Sequence, residues 1–245
     1  MNFFPNAKIN LGLNITEKRS DGFHSIESVF VPIPWSDELE IIPSESPTRF
    51  TSSGIDIPGS PSDNLCLKAY YLLKSAHDLP EVNIHLKKNI PIGAGLGGGS
   101  SDAAFVLKGL NELFSLGISD EDLQSYARLL GSDCAFFIKN KPVLAIEQGD
   151  VFKDISIDLS SYYIVLVYPK IHISTQVAYS GVVTSVPDCS LENKLSMNPN
   201  DWKDFIFNDF EKSIFKSFPK LEIIKSSLYQ NGAFYALSLI HISEP

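Results

Sequence analysis

A chain of 245 residues, 44% of them hydrophobic, is long enough for one large domain or two modest ones with a packed core. Its 20 basic and 29 acidic residues give a formal net charge of -9, which argues against nucleic acid or an anionic membrane as the partner. The N-terminus lacks a secretory signal pattern, and the longest apolar stretch, 162–168, is too short to span a bilayer. Three cysteines without a paired motif favour a reducing compartment, so a cytoplasmic location is expected.

The predicted elements begin with a strand over 7–15, where apolar and polar residues alternate strictly. This period of two predicts one buried face and one solvent-facing, polar face. Residues 43–62 are rich in Pro, Ser and Gly and are predicted to form turns and a loop. Asp63 is predicted to cap a helix from about Asn64 to Ala76. Further strands are predicted at 27–33, 38–43 and 82–87.

A glycine-rich turn at 91–99 comes next and leads into a helix from Ser100 to about Leu113. Ser119 stands before three acidic residues and therefore predicts the start of another helix. The remaining predicted elements are strands at 143–147 and 162–168 and helices at 201–216 and 219–230. This mixture of sheet and helix blocks predicts an α+β fold, with a weakly marked domain boundary near residue 155.

The glycine-rich turn is the most informative segment. Its glycines let a ligand approach the backbone because no Cβ intervenes, and they tolerate positive φ angles. The helix that follows presents unpaired N–H groups and a positive dipole end to whatever the turn holds. Together with two hydroxyl groups, these features predict a binding site for a polyphosphate. The predicted site consists of the turn and the two serines that follow it: Pro91, Ile92, Gly93, Ala94, Gly95, Leu96, Gly97, Gly98, Gly99, Ser100 and Ser101.

Three other interpretations of this turn compete with a polyphosphate site. It could be a flexible loop that only precedes a structural helix. Gly93, Gly95 and Gly98 also satisfy the dinucleotide pattern G-x-G-x-x-G, but a connector precedes the turn and a second helix follows the first. A standard P-loop is excluded because no Lys follows the last glycine. The pattern that fits is P-x-G-x-G-L-G-G-G-S-S.

This turn resembles the second motif of the small-molecule kinases grouped as galactokinase, homoserine kinase, mevalonate kinase and phosphomevalonate kinase. Residues 5–13 resemble the first motif of that superfamily. Within it, four segments together resemble the diphosphocytidyl-methylerythritol kinases: Ala7–Leu11, Asp21–His24, Gly97–Ser101 and Gly131–Asp133. The resemblance covers about residues 4–236. It implies a two-lobed kinase with an ATP-binding and catalytic domain at 1–155 and a C-terminal domain at 156–245.

The resemblance implies two catalytic residues. Lys8 would orient the acceptor hydroxyl and stabilise charge in the transition state, and Asp133 would accept the hydroxyl proton. Taken alone, Lys8 could be a solvated lysine on a strand face, and Asp133 could be a helix cap.

The implied acceptor is diphosphocytidyl-methylerythritol, phosphorylated by ATP in the non-mevalonate route to isoprenoid precursors. A cytosine ring requires aromatic walls and hydrogen-bonding groups. Phe23 and His24 offer one aromatic wall at a single turn, and Tyr179 could form the opposite wall. By analogy with the family, Asn10 and His24 contact the cytidine end, and Thr175 lies nearby. Phe23 stands where a tyrosine is common. Without the family, Phe23 could belong to the core and His24 to a surface turn.

Family members contact adenine at positions that correspond to Asn64 and Lys88. Asn64 could equally be the first residue of a helix, and Lys88 a solvated strand end. Mg²⁺ is expected with ATP because it neutralises the phosphates, although no carboxylate marks a dedicated metal ligand.

The match weakens at the C-terminal end. The family has a third glycine-rich motif here, whereas this sequence has no glycine after Gly232. Residues 237–245 are expected to be a non-native tail and the C-terminal domain to be incomplete. The chain is therefore expected to be poorly stable and weakly active or inactive. A kinase for another small alcohol and a catalytically silent nucleotide-binding module are therefore kept as alternatives, and a dinucleotide oxidoreductase is a distant third.

Overall fold

The structure, a computed structural model, describes residues 1–171, 173, 175–179, 181, 182 and 184–239, with only the backbone at 175 and 176. The chain forms two compact units. The first unit comprises Met1–Lys8 and Pro32–Lys141. The second comprises Ile9–Val31 and the described residues from 142 onward. The predicted division near residue 155 stays a prediction. Among the described residues, no helix is both long and apolar enough to cross a membrane.

In the part of the chain that the structure describes, two four-stranded sheets combine with helices, which is the α+β architecture predicted. The strands are β1 (Asn2–Phe3), β2 (Asn6–Lys18), β3 (His24–Ser36), β4 (Glu38–Pro43), β5 (Arg49–Gly54), β6 (Val82–Lys88), β7 (Val143–Glu147) and β8 (Val151–Asp154). The helices are α1 (Leu65–Ala76), α2 (Gly98–Leu113), α3 (Asp120–Leu130), α4 (Phe136–Lys139), α5 (Thr175–Tyr179), α6 (Leu191–Leu195), α7 (Trp202–Phe205), α8 (Glu211–Ser217) and α9 (Pro219–Gln230). Short 3₁₀ helices span Pro61–Asp63 and Pro199–Asp201.

The sheet of the first unit has the strand order β1-β4-β6-β5, with β5 parallel to β6 and the other pairs antiparallel. Alternate residues of β6, which include Ile84 and Leu86, are buried, as a sheet with one covered face requires. Helix α2 lies close to this sheet at Gly109. A Cβ at Gly109 would lie 2.7 Å from the Phe3 ring and 2.9 Å from the Ile41 side chain. This close contact fixes α2, and with it the glycine-rich turn that precedes it.

The sheet of the second unit has the order β2-β3-β7-β8, and β3 pairs antiparallel with β7. Its apolar side chains form a core cluster with Phe210 and Ile214. The backbone of Leu13 in β2 donates to the Phe207 carbonyl and accepts from the Asp209 N–H, each at 2.9 Å. These bonds cover one edge of β2.

The polar face of β2 is buried, which corrects the prediction of a half-exposed strand. Lys8, Asn10 and Asn14 are all buried. Asn10 Nδ2 donates to the Ser28 hydroxyl at 2.8 Å, and Asn14 Nδ2 donates to the Glu27 carboxylate at 2.9 Å. Burial of these groups is tolerated because each has a hydrogen-bond partner.

Two further predictions in the first unit were wrong. Residues 43–62 contain the strand β5, whose exposed Ser and Thr residues lack the apolar alternation that marks a strand. The cap of α1 is Asn64, not Asp63: Asn64 Oδ1 accepts the Cys66 N–H at 2.8 Å, and Asp63 belongs to the preceding 3₁₀ helix.

Residues 162–168 are not a strand, although they are apolar. None of the described strands pairs with them, and Tyr163 is 99% exposed. An apolar run forms a strand only where a neighbouring strand satisfies its backbone groups. The predicted helix at 201–216 is two helices, α7 and α8, because residues 207 and 209 bond to β2.

Candidate active site

The glycine-rich turn owes its shape to three residues in the left-handed region. Gly93, Gly95 and Gly97 have φ angles of 68°, 74° and 67°. This conformation is costly for any residue with a Cβ. Gly97 is the N-cap of α2, so the first N–H groups of that helix follow the turn directly. A turn of this shape at a helix N-terminus has the geometry that suits an anion.

Lys8 is attached to this turn through its backbone and its side chain. Its N–H donates to the Leu96 carbonyl at 2.9 Å. A Cβ at Gly97 would lie 3.0 Å from the Phe137 ring and 3.1 Å from Lys8 Cγ. The missing side chain of Gly97 therefore makes room for the Lys8 side chain beside the turn.

Lys8 and Asp133 form a buried ion pair. Lys8 Nζ lies 3.3 Å from Asp133 Oδ2, and the two side chains are 0% and 2% exposed. Asp133 lies in the turn before α4, where its carbonyl accepts the N–H of Phe136 at 3.2 Å. Because Phe136 and Phe137 are buried, this turn is anchored in the core of the first unit. The structure thus brings together the two predicted catalytic residues and the turn.

Burial governs the electrostatics of the pair. It lowers the pKa of Lys8, because removal from water penalises the charged ammonium, while the neighbouring Asp133 carboxylate acts in the opposite direction. A positive charge held in a dry site interacts strongly with any oxygen that becomes negative beside it. Phosphoryl transfer requires groups of the kind found here: an ammonium, a carboxylate and a turn rich in backbone N–H groups.

The predicted adenine contacts, Asn64 and Lys88, occupy different settings in the first unit. Asn64 caps α1, and Leu65, the next residue, packs 3.9 Å from where a Cβ at Gly99 would lie. Lys88 is buried, and its ammonium bonds to Asp37 and to Asp102. Their contact with adenine stays a prediction.

Asn10, a predicted substrate residue, belongs to the second unit and is oriented by Ser28. Its Nδ2 donates to the Ser28 hydroxyl at 2.8 Å, and that hydroxyl donates to the Gly12 carbonyl at 2.7 Å. The two bonds fix the plane of the Asn10 amide.

The predicted aromatic residues of the second unit include one stacked pair. The His24 and Tyr179 rings stack with centroids 4.5 Å apart and planes inclined by 16°, and Tyr179 meets Phe210 edge-on at 4.9 Å. No ring fits between His24 and Tyr179 at this distance, because two stacking layers need about 7 Å. Phe23 is 58% exposed and presents an open face. The side chain of Thr175 lies outside the described residues.

Two acidic residues near the glycine-rich turn, Asp37 and Asp102, were not predicted from the sequence. Both are buried against Lys88. Burial raises the pKa of Asp102 to about 8, against the opposing effect of Lys88 and with the help of the Asp37 charge. Asp102 could have been identified from the sequence, because it directly follows Ser100 and Ser101. Asp37 could not, because it belongs to no recognisable sequence motif.

Gly97→Ala is expected to reduce turnover by about a hundredfold, because the added methyl group displaces Lys8 and Phe137. Gly117→Ala is the matched control: its φ is 69° and a Cβ there would meet nothing within 4 Å. Both variants should lose about 1–2 kcal/mol of stability from backbone strain. Steady-state turnover and thermal melts are measured for both variants. They separate the effect of backbone strain, which both variants share, from displacement of Lys8 and Phe137, which only Gly97→Ala causes. Equal turnover in the two variants would contradict the proposed role of the gap at Gly97.

Comparison with known proteins agrees with this geometry. Residues 64–141 match the family described as GHMP kinases N terminal domain. The chain is 53% identical over 236 residues to 4-diphosphocytidyl-2-C-methyl-D-erythritol kinase of Bacteroides fragilis, covering 95% of this chain and 86% of that protein. It is 51% identical over 234 residues to the protein of the same name from Cytophaga hutchinsonii, with the same coverage.

One solved structure gives the same assignment, and a second shows the same fold. A crystal structure of 4-(cytidine 5'-diphospho)-2C-methyl-D-erythritol kinase superposes with a TM-score of 0.79 and 30% identity, covering 97% of this chain and 85% of that one. A homoserine kinase from Cytophaga hutchinsonii shares the fold, with a TM-score of 0.60 and 16% identity over 94% of this chain and 80% of that one. The similarity thus extends over nearly the whole chain. The chain belongs to the family of 4-diphosphocytidyl-2-C-methyl-D-erythritol kinases within the GHMP kinases.

Proposed function

We propose that this chain transfers the γ-phosphate of ATP to the 2-hydroxyl of 4-diphosphocytidyl-2-C-methyl-D-erythritol, in the non-mevalonate route to isopentenyl diphosphate. The observation that carries this proposal is the buried Lys8–Asp133 pair, whose lysine is bonded to the glycine-rich turn. Family membership adds the identity of the substrate, since the relatives above bear that name.

The proposed mechanism assigns one task to each part. Asp133 accepts the proton of the acceptor hydroxyl while the hydroxyl oxygen forms a bond to the γ-phosphorus. The bond between that phosphorus and the β–γ bridging oxygen breaks, and ADP leaves. Lys8 stabilises the negative charge on the transferring group, and the turn holds the other phosphates through its backbone N–H groups.

Mg²⁺ is proposed to arrive with the nucleotide. Among the described residues, no group of three or more His, Cys, Asp and Glu side chains is placed to hold a metal ion. A site that takes Mg²⁺ with its substrate needs no such group, because water molecules and the phosphate oxygens supply most of the ligands. When bound, the ion neutralises phosphate charge and supports the inline geometry of transfer.

The acceptor's cytidine end is proposed to meet Asn10, Phe23, His24, Thr175 and Tyr179 in the second unit. Partial burial and the nearby Lys18 charge lower the pKa of His24, so its ring is neutral at pH 7. A neutral imidazole offers both a donor and an acceptor to a base edge. The exposed Phe23 ring offers a stacking face.

A cytoplasmic location is also proposed. Cys66, Cys134 and Cys189 are free thiols, which is the normal state in a reducing compartment. Burial raises the pKa of the Cys134 thiol to about 12, so this thiol is protonated at neutral pH.

Release of ADP by the full chain tests the proposal. ATP and Mg²⁺ are supplied with the diphosphocytidyl-methylerythritol, with homoserine, with mevalonate, or with no acceptor. The proposal predicts ADP release that depends on the cytidine-bearing acceptor. Release with another alcohol alone would indicate a different small-molecule kinase, and ATP binding without release under any condition would indicate a silent nucleotide-binding module. Either outcome would overturn the proposal.

A further inference from the structure

Three charged residues form a buried cluster beneath the glycine-rich turn. The Lys88 ammonium donates to the Asp37 carboxylate and, at 2.7 Å, to Asp102 Oδ2, and all three side chains are buried. We call these three residues the Lys88 cluster. Burial of two carboxylates around one ammonium has a large desolvation cost. Stabilisation of the fold is therefore a poor explanation for this cluster. Its position in the fold suggests what it does.

The cluster holds the segment that enters the turn. Asp37 Oδ1 accepts the backbone N–H of Asn89 at 2.5 Å and that of Ile90 at 2.8 Å. These two residues immediately precede Pro91, the first residue of the turn. Asn89 Nδ2 also donates to the Ser36 carbonyl at 3.1 Å. The backbone that leads into the turn is therefore fixed to the residues around Asp37.

The same ammonium holds the segment that leaves the turn. Asp102 is the fifth residue of α2, the helix that begins at Gly98. Gly98 itself lies against the lysine, since a Cβ there would be 2.9 Å from Lys88 Nζ and 3.0 Å from Ile90 Cγ2. One buried lysine thus links the entry and the exit of the turn, across the residues whose φ angles are positive.

We propose that Lys88, Asp37 and Asp102 are positioning residues that hold the glycine-rich turn in the shape that receives a triphosphate. This inference rests on the proposed function of the turn and deepens it. It gives Lys88 a role different from the adenine contact implied by the family: the lysine acts through the turn and does not touch the base. Its nearly complete burial and its two carboxylate partners support that role.

Asp102 provides the cleanest test, because its replacement leaves the Lys88–Asp37 pair and no unbalanced charge. Asp102→Ala removes the exit contact, and Asp102→Asn is the conservative variant, since an amide oxygen can still accept from Lys88. Affinity is measured for MgATP and for magnesium tripolyphosphate, which has no base. Asp102→Ala should weaken both by about tenfold, the equivalent of one hydrogen bond to a charged group, and Asp102→Asn should restore most of the loss.

Amide hydrogen exchange of the ligand-free chain gives a readout that does not need activity. In Asp102→Ala, exchange should accelerate in residues 89–99 while β4 and α3 stay unchanged. Unaltered exchange at 89–99, or a loss of affinity for ATP but not for tripolyphosphate, would overturn the positioning role. Because neither measurement uses the acceptor, failure of this inference is distinguishable from failure of the proposed kinase activity.

Discussion

Replacing Asp133 by Asn lowers turnover by about 10²–10⁴-fold, the usual contribution of a general base, and leaves the affinity for ATP nearly unchanged. The amide has almost the shape of the carboxylate but cannot accept the hydroxyl proton at neutral pH. The carboxylate is buried, 3.3 Å from Lys8 Nζ, so no solvent-exposed group replaces it in this position. Steady-state kinetics with varied ATP and varied acceptor measure the effect.

Asp120→Asn is the matched control for this change. Asp120 is an exposed aspartate in the first turn of α3, and its replacement should leave turnover within a factor of about two, as for most surface substitutions. Asp133→Asn with normal turnover would contradict the assignment of Asp133 as the base. A large rise in the KM for ATP without loss of turnover would instead make Asp133 a binding residue.

The double variant Lys8→Met, Asp133→Leu should be more stable than either single variant and yet inactive. Each single change leaves one charge buried without its partner, at a cost of about 3–5 kcal/mol. Removal of both charges leaves two apolar side chains in a buried space, which is often neutral or stabilising. Chemical denaturation of the four proteins at pH 7 gives the coupling energy of the pair.

This cycle separates a catalytic role of the pair from a structural one. If the pair served mainly the fold, the double variant would be clearly less stable than the unchanged chain. If the pair serves catalysis, the double variant regains the stability of the unchanged chain but not its turnover. Lys87→Met is the control, because Lys87 is an exposed lysine paired with Glu38 at 2.8 Å, and a surface pair contributes little.

Local patterns predicted the elements whose signals lie within a few residues. The alternation over 7–15 predicted β2, and Ser119 with its acidic neighbours predicted the start of α3, where the Ser119 hydroxyl accepts the Asp122 N–H at 3.1 Å. The strand β5 was missed because its pairing with β6, more than thirty positions away, determines its conformation. The strand predicted at 162–168 was wrong because the segment is apolar but has no neighbouring strand among those described, and apolar character alone does not supply one.

In the candidate site too, local features could be predicted from the residues alone and contacts between distant residues could not. The glycine-rich turn is contiguous, so the sequence was enough to predict an anion site there. The meeting of Lys8 with Asp133 joins residues 125 positions apart, and only the resemblance to a family predicted it. Burial of the polar face of β2 and the Lys88 cluster could not be predicted, because whether a Lys or Asp is solvated depends on elements distant in sequence.

The identity of the product formed by the unchanged chain tests the proposed phosphoryl transfer most directly. ATP, Mg²⁺ and diphosphocytidyl-methylerythritol labelled with ¹³C in the erythritol part are incubated with the chain, and the product is examined by ³¹P and ¹³C NMR. Transfer to the 2-hydroxyl predicts one new phosphate monoester whose phosphorus couples to C2, formed in equal amount with ADP. A phosphate on any other oxygen, or ADP accompanied only by inorganic phosphate, would contradict it.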